Sequence, residues 1–152
     1  MSQRVIDLLN QARARELTAI LQYMAQHYEL EDKDFGKLAS KVKDVAIVEM
    51  GHAEKLAERI LFLNGQPSYK PDAEPMKGQD IAGMMRTDIG LESSAVTMYN
   101  EAANICAQEK DQISKEVFES LLSNEEDHLN FFQNTLEHVE ELGQAYLASL
   151  AD

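Results

Sequence analysis

The chain has a single cysteine, Cys106, among its 152 residues. One thiol cannot close an intramolecular disulfide or build a thiolate zinc or iron–sulfur site. Tryptophan is absent, and the three prolines all fall between positions 67 and 75. Long stretches are therefore free of helix breakers. Cations are scarce, with 14 Lys and Arg against 27 Asp and Glu, for a formal net charge of -13. Phosphate backbones are bound by Lys and Arg, so this balance argues against a nucleic-acid partner. It favours the attraction of cations. No apolar run approaches the roughly 18 residues of a membrane span. Residues 1–20 lack the uncharged apolar stretch of a signal peptide. The expectation from these absences is a cytoplasmic protein with no membrane partner.

What is present is ordinary for a globular chain: 44% hydrophobic and 27% charged residues. That is enough to bury one core, and residues 1–152 read as a single domain. Four long amphipathic segments, about 4–30, 35–63, 80–107 and 111–141, read as helices. In the second, Leu38, Val42, Val45, Glu49, His52, Leu56, Ile60 and Leu63 share one stripe at about 100° per residue. Two ionisable groups on that otherwise apolar stripe must be paired or metal-bound.

Short polar breaks near Glu31–Asp34 and Glu109–Asp111 predict two antiparallel hairpins. A longer break, Asn64–Gln79, carries all three prolines. A helix of about 28 residues is about 42 Å long. The break reaches about 50 Å when extended, so it can run the length of the bundle and leave helices two and three parallel. The tail after Gly143 reads as a short fifth helix.

The chemistry lies in a repeat. Glu49-Met50-Gly51-His52 and Glu125-Glu126-Asp127-His128 are both Glu-x-x-His pairs, which put two ligands on one helix face. Glu49 and Glu125 are 76 residues apart, as are His52 and His128, Glu16 and Glu92, and Tyr23 and Tyr99. The apolar pairs Val42–Phe118, Val45–Leu121 and Leu56–Phe132 keep the same offset. The chain therefore reads as two similar hairpins related by a pseudo-two-fold axis. The midpoint of Glu16–Glu49 falls inside the first polar break and that of Glu92–Glu125, between Gln108 and Glu109, at the second, so all six groups can meet at one level.

Four carboxylates match the charge of two divalent cations. Carboxylate oxygen with imidazole nitrogen suits iron or manganese better than zinc. One Glu from each of two helices, with a Glu-x-x-His from each of the others, is the known di-iron pattern of helical bundles. Without metal, four buried carboxylates would repel one another. Around them, Asp88 is a candidate outer acceptor for a ligand His, and Tyr23 and Tyr99 are candidates to hydrogen-bond ligand carboxylates. His27 and His138 lie too far along their helices to join the site and read as surface or helix-end residues.

The block Glu49-Met50-Gly51-His52-Ala53-Glu54, with Glu58–Leu63 and Gly65, resembles bacterioferritin. So do Glu16–Ile20 with Gln22-Tyr23, Leu91-Glu92, and Glu125–His128. The resemblance covers nearly the whole chain. It implies an all-α, ferritin-like four-helix bundle with a long crossover between helices two and three and a short C-terminal fifth helix. It implies iron storage and detoxification, with Fe(II) oxidised by O2 or H2O2 at a di-iron site of two iron ions per subunit. The implied ligands are Glu16, Glu49, His52, Glu92, Glu125 and His128, with Glu49 and Glu125 bridging. It also implies a homo-oligomeric shell of roughly 24 subunits, an electron-donor protein for iron release, and haem b at a subunit interface.

The family's haem ligand is a Met, and Met50 matches it. Met50 points about 100° away from Glu49, with Ala39, Ala46, Ile47, Ala57 and Leu61 on its face, which reads as a surface for another subunit. Two positions depart from the family pattern: Asp44 and Val48 stand where a His and a carboxylate are common. Two other readings compete. One is a di-iron peroxidase or oxidase without storage, of rubrerythrin-like type. The other is a helical interaction protein without catalysis.

Overall fold

The computed structural model describes residues 2–151. Five helices follow in order: α1 (Gln3–Asp32), α2 (Gly36–Phe62), α3 (Ile81–Gln108), α4 (Gln112–Leu142) and α5 (Gln144–Ser149). Each predicted helix is present, with ends within two residues of expectation. Local chemistry sets those ends. Ser2, Asp80 and Asp111 each place a side-chain oxygen on a first-turn amide, satisfying a donor that the helix cannot. Helix α2 has no side-chain cap. Instead its Lys37 amide donates to the carbonyl of Leu150, just past α5. The C-terminal tail thus finishes the start of α2.

Helices α1 and α3 end alike. Asp34 and Lys110 adopt left-handed φ of 64° and 59°. The amides of Phe35 and Asp111 reach back to Leu30 and Cys106 at 2.9 Å, closing Schellman-type ends. Asp34 and Lys110 are themselves 76 residues apart, so the repeat extends through the turns.

Helices α1 and α2 pack as one hairpin and α3 and α4 as the other. Between hairpins, α1 runs antiparallel to α3: Glu16 meets Tyr99, Tyr23 meets Glu92, and Gln26 meets Asp88. The crossover, residues 63–80, is strapped along α1 by side chains that pair with its backbone. Asn10 bonds Gln66 and Ser68, Thr18 accepts from Asp72 and Ala73, and Gln22 both donates to and accepts from Met76. Its prolines remove three backbone donors, and α1 side chains satisfy those of Ser68, Asp72, Ala73, Met76 and Gly78. Helices α2 and α3 are therefore parallel, as the loop length required.

The core forms two apolar clusters. One gathers Val5, Leu9, Leu56, Ile60, Tyr99, Phe118 and Leu121, and the other gathers Tyr23, Leu30, Leu38, Val42, Met84, Met85 and Phe132. Every residue of the α2 stripe is buried. Two sequence expectations need correction. His27 is buried, with Nδ1 2.7 Å from the Ala39 carbonyl, because the antiparallel hairpin lays that turn of α1 against the start of α2. Ala39 and Ala46 are fully buried within the bundle, so they belong to its core and not to an outer face. No described helix is long and apolar enough to cross a membrane.

Candidate metal centre

Between the two apolar clusters lies a polar layer. Each helix interrupts its buried stripe there: Glu16 on α1, Glu49 and His52 on α2, Glu92 on α3, Glu125 and His128 on α4. All six are buried, from 0% exposed for Glu49 to 8% for His128. Apolar packing above and below fixes their height, and helical spacing points them inward.

They assemble into two groups of four: Glu16, Glu49, His52 and Glu125, and Glu49, Glu92, Glu125 and His128. Within each group the ligand atoms lie within 4.8 Å of one another. Glu49 and Glu125 belong to both. His52 Nδ1 is 3.1 Å from Glu125, 3.2 Å from Glu49 and 3.5 Å from Glu16. His128 Nδ1 is 3.4 Å from Glu49, 3.5 Å from Glu125 and 3.7 Å from Glu92.

Seven atoms of these residues are buried without a hydrogen-bond partner: Glu16 Oε2, both Glu49 oxygens, His52 Nδ1, Glu92 Oε2, Glu125 Oε1 and His128 Nδ1. Orphaned buried polar atoms each cost about 1–3 kcal/mol. All seven belong to residues of the two groups of four, so cations bound among those groups would give these residues partners. The donor set fits two divalent ions in number, charge and chemistry.

Burial raises the pKa of Glu16, with the Glu125 charge adding to it, and of Glu49, with Glu16 adding to it. Burial pushes Glu92 up to about 7, opposed by His128. Burial alone would lower the imidazoles, but the surrounding carboxylates outweigh it. The nearby carboxylates of Glu125, Glu16 and Glu49 take His52 to about 11, and those of Glu125, Glu49 and Glu92 take His128 to about 12. In the metal-free layer the surrounding carboxylates thus favour the protonated form of both imidazoles.

The tyrosines meet the carboxylates. Tyr23 donates to Glu92 Oε1 at 2.5 Å, and Tyr99 donates to Glu16 Oε1 at 2.6 Å. Asp88 does not sit on a ligand histidine. It accepts from the Gln26 amide at 2.7 Å, and burial holds its carboxyl well above the usual carboxylate range. The partner of His52 Nε2 is instead Asn124, at 2.8 Å. Asn124 was missed because it lies outside the inward stripe of α4. His138 is exposed and packs at a tilt against Tyr146, away from the layer. Met50 lies on the outer side of α2, 43% exposed, beside Ile47 at 52%.

A bundle of two pseudo-equivalent hairpins, with paired carboxylate–imidazole groups that share two glutamates, is the architecture of the ferritin-like di-metal proteins. The ferritin-like domain family matches residues 6–142. The bacterioferritin of Desulfovibrio desulfuricans is 39% identical over 97% of this chain and 83% of its own length. That of Rhodobacter capsulatus is 38% identical over 97% and 91%. The solved D. desulfuricans structure, whose diiron site was captured in different catalytic states, aligns with a TM-score of 0.95 over 97% of this chain and 86% of that one. The R. capsulatus structure, with a metal-free dinuclear site and a haem iron, aligns at 0.94 and 37% identity over 100% and 96%. The chain belongs to the bacterioferritin family.

Proposed function

We propose that this protein stores iron, and that it oxidises Fe(II) at the layer formed by Glu16, Glu49, His52, Glu92, Glu125 and His128. The observation that carries the reading is the pair of four-residue groups sharing Glu49 and Glu125, with seven orphaned atoms turned inward. Two Fe(II) ions are the substrates. Glu16 and His52 hold one, Glu92 and His128 the other, and Glu49 and Glu125 bridge. Each iron gives up one electron, and O2 or H2O2 accepts the pair.

The protein's own part is positioning and charge. Four carboxylates offset the charge of two divalent ions and favour the rise to the ferric state. Both imidazoles shed their Nδ1 protons when metal binds, and Tyr23 and Tyr99 hold the terminal glutamates in place. The apolar clusters on either side keep bulk water from the layer.

Family membership extends the reading to a homo-oligomeric shell holding ferric mineral, with a redox partner for iron release. It also extends to haem. Met50 offers a thioether on an exposed apolar surface with Ile47 and Leu61. A Cβ built at neighbouring Gly51 meets nothing within 4 Å, so the ground beside Met50 is open. Met50 and its copy across a two-fold axis would hold the haem, which supplies an electron route between surface and interior.

Aerobic Fe(II) titration of the metal-free protein tests the reading. A fast phase saturating near two irons per subunit, then slower uptake into a soluble core, is expected. Saturation at two without further uptake would instead describe an oxidase or peroxidase, and light scattering would then show a small oligomer.

A further inference from the structure

Outside the metal layer, one cavity gathers positive charge on a chain whose net charge is -13. Its volume is about 490 Å³, and it lies where the start of α2, the middle of α4 and α5 meet. None of the six metal-layer residues lines it. Lys37 and Lys41 come from α2, Asn130, Asn134 and His138 from α4, and Tyr146 from α5. Among the described residues, the Lys and Arg side chains in ion pairs are those of Arg59, Arg86 and Lys115, so both cavity lysines stand without a carboxylate partner. Asp127 is the one acid on the wall, and neither lysine pairs with it. The side chains of Asn130, Asn134, His138 and Tyr146 likewise make no hydrogen bond to another described residue. The wall is rich in uncommitted donors.

The two lysines are also badly placed for the helix that carries them. Lys37 lies in the first turn of α2, where the helix dipole favours anions and disfavours cations. That turn holds no acidic residue, and no side chain caps it. Lys41 follows four residues later, so two like charges stack on one face of α2 and repel. Lys41 reaches across to α4, with Nζ 5.8 Å from the centre of the Phe131 ring. An anion seated in the cavity reverses each of these costs. It meets two ammonium groups, the positive end of α2 and neutral donors from α4 and α5 together. Two separate ammonium groups act as point charges, which suits the tetrahedral oxygens of a phosphate better than the planar fork of a carboxylate. We infer that this cavity binds a phosphate group, as the free ion or on a small ester whose organic part packs against the Phe131 and Tyr146 rings. The site is independent of the di-metal reading.

The test is titration of the assembled protein, freed of metal and mineral, with inorganic phosphate, followed by phosphorus NMR line width and by calorimetry. Wild type should show saturable binding of one phosphate per subunit. Lys37→Gln and Lys41→Gln should each weaken it by about 10–100-fold, and the double variant should abolish it. Lys43→Gln, which removes an exposed lysine that does not line the cavity, should leave it unchanged. Lys37 and Lys41 are themselves exposed, so these variants should keep the wild-type Tm and take up two Co(II) ions per subunit at the metal layer. Titration with glycerol phosphate separates the sources: tighter binding than inorganic phosphate assigns the site to an ester, and equal or weaker binding assigns it to the free ion. Absence of saturable binding, as when a neighbouring subunit fills the cavity, overturns the inference. So does a double variant that binds like wild type, or a loss in Lys43→Gln as large as that in Lys41→Gln, which would show attraction to surface charge without a site.

Discussion

Tyr99 and Glu16, 83 residues apart in sequence, share a hydrogen bond of 2.6 Å in the centre of the bundle. It joins α3 to α1, across the seam between the two hairpins. Glu16 Oε2 has no partner of its own, so the hydroxyl is the one neutral donor on that carboxyl. Tyr99→Phe should therefore lower the stability of the metal-free protein by about 1–2 kcal/mol, read from urea unfolding at fixed protein concentration. Tyr99 is not a ligand, so Co(II) stoichiometry should stay at two. A change below the error of the unfolding midpoint would mean the bond is not formed in solution.

Proton balance gives a second expectation. At neutral pH, His52 and His128, taken to about 11 and 12, are protonated, and metal must displace both protons. Metal affinity should rise with pH. Metal-free stability should move the other way. Glu92 has a folded pKa of about 7, above its ordinary 4.5, so its contribution is present below 4.5 and lost as pH climbs through 7. The two imidazoles act in the same direction: their contributions are complete below the ordinary 6.5 and decline progressively as pH rises above it toward 11 to 12. Thermal unfolding should show the metal-free Tm falling between pH 5.5 and 8.5, and the rise in Tm on adding Zn(II) growing over the same range. Equal rises at both ends would mean the imidazoles are already neutral.

The sharing of Glu49 separates its substitution from that of Glu92. Glu49 stands in both groups of four, Glu92 in one. Glu49→Gln should impair both positions, leaving weak or no Co(II) binding. Glu92→Gln should leave one ion per subunit, held by Glu16, Glu49, His52 and Glu125. Anaerobic Co(II) stoichiometry distinguishes them, and a full complement of two in Glu49→Gln would remove Glu49 from its shared role.

Much of this was legible in the sequence, because burial writes its period there. The α2 stripe alone showed Glu49 and His52 among apolar residues, and the 76-residue offset selected Glu16 and Glu92 from many glutamates. What could not be read depends on packing between hairpins. Asn124 sits beside Glu125, outside the stripe, and acquires a role only because α4 brings it to His52 on α2. Asp88 lies on the correct face one turn from Glu92, but Gln26 of α1 reaches it first. His27, Ala39 and Ala46 looked peripheral because a helical wheel shows a direction and not what fills it. The α1–α2 contact buries all three.

Met50 tests the outer surface independently of the layer. It is next in sequence to Glu49, yet its side chain is 43% exposed while Glu49 is fully buried. One residue of helix turns it about 100° away. Nothing in the bundle depends on its thioether, and leucine fills a similar volume. Met50→Leu should leave the metal-free Tm and the Co(II) stoichiometry unchanged. If Met50 ligates haem, the same variant purified after expression with excess haem should lose the Soret band and the reduced-state bands that bis-thioether ligation produces. Retained bands in Met50→Leu would assign the ligand elsewhere. Lost bands with unchanged Co(II) binding would establish that α2 carries two separate iron chemistries on faces one residue apart.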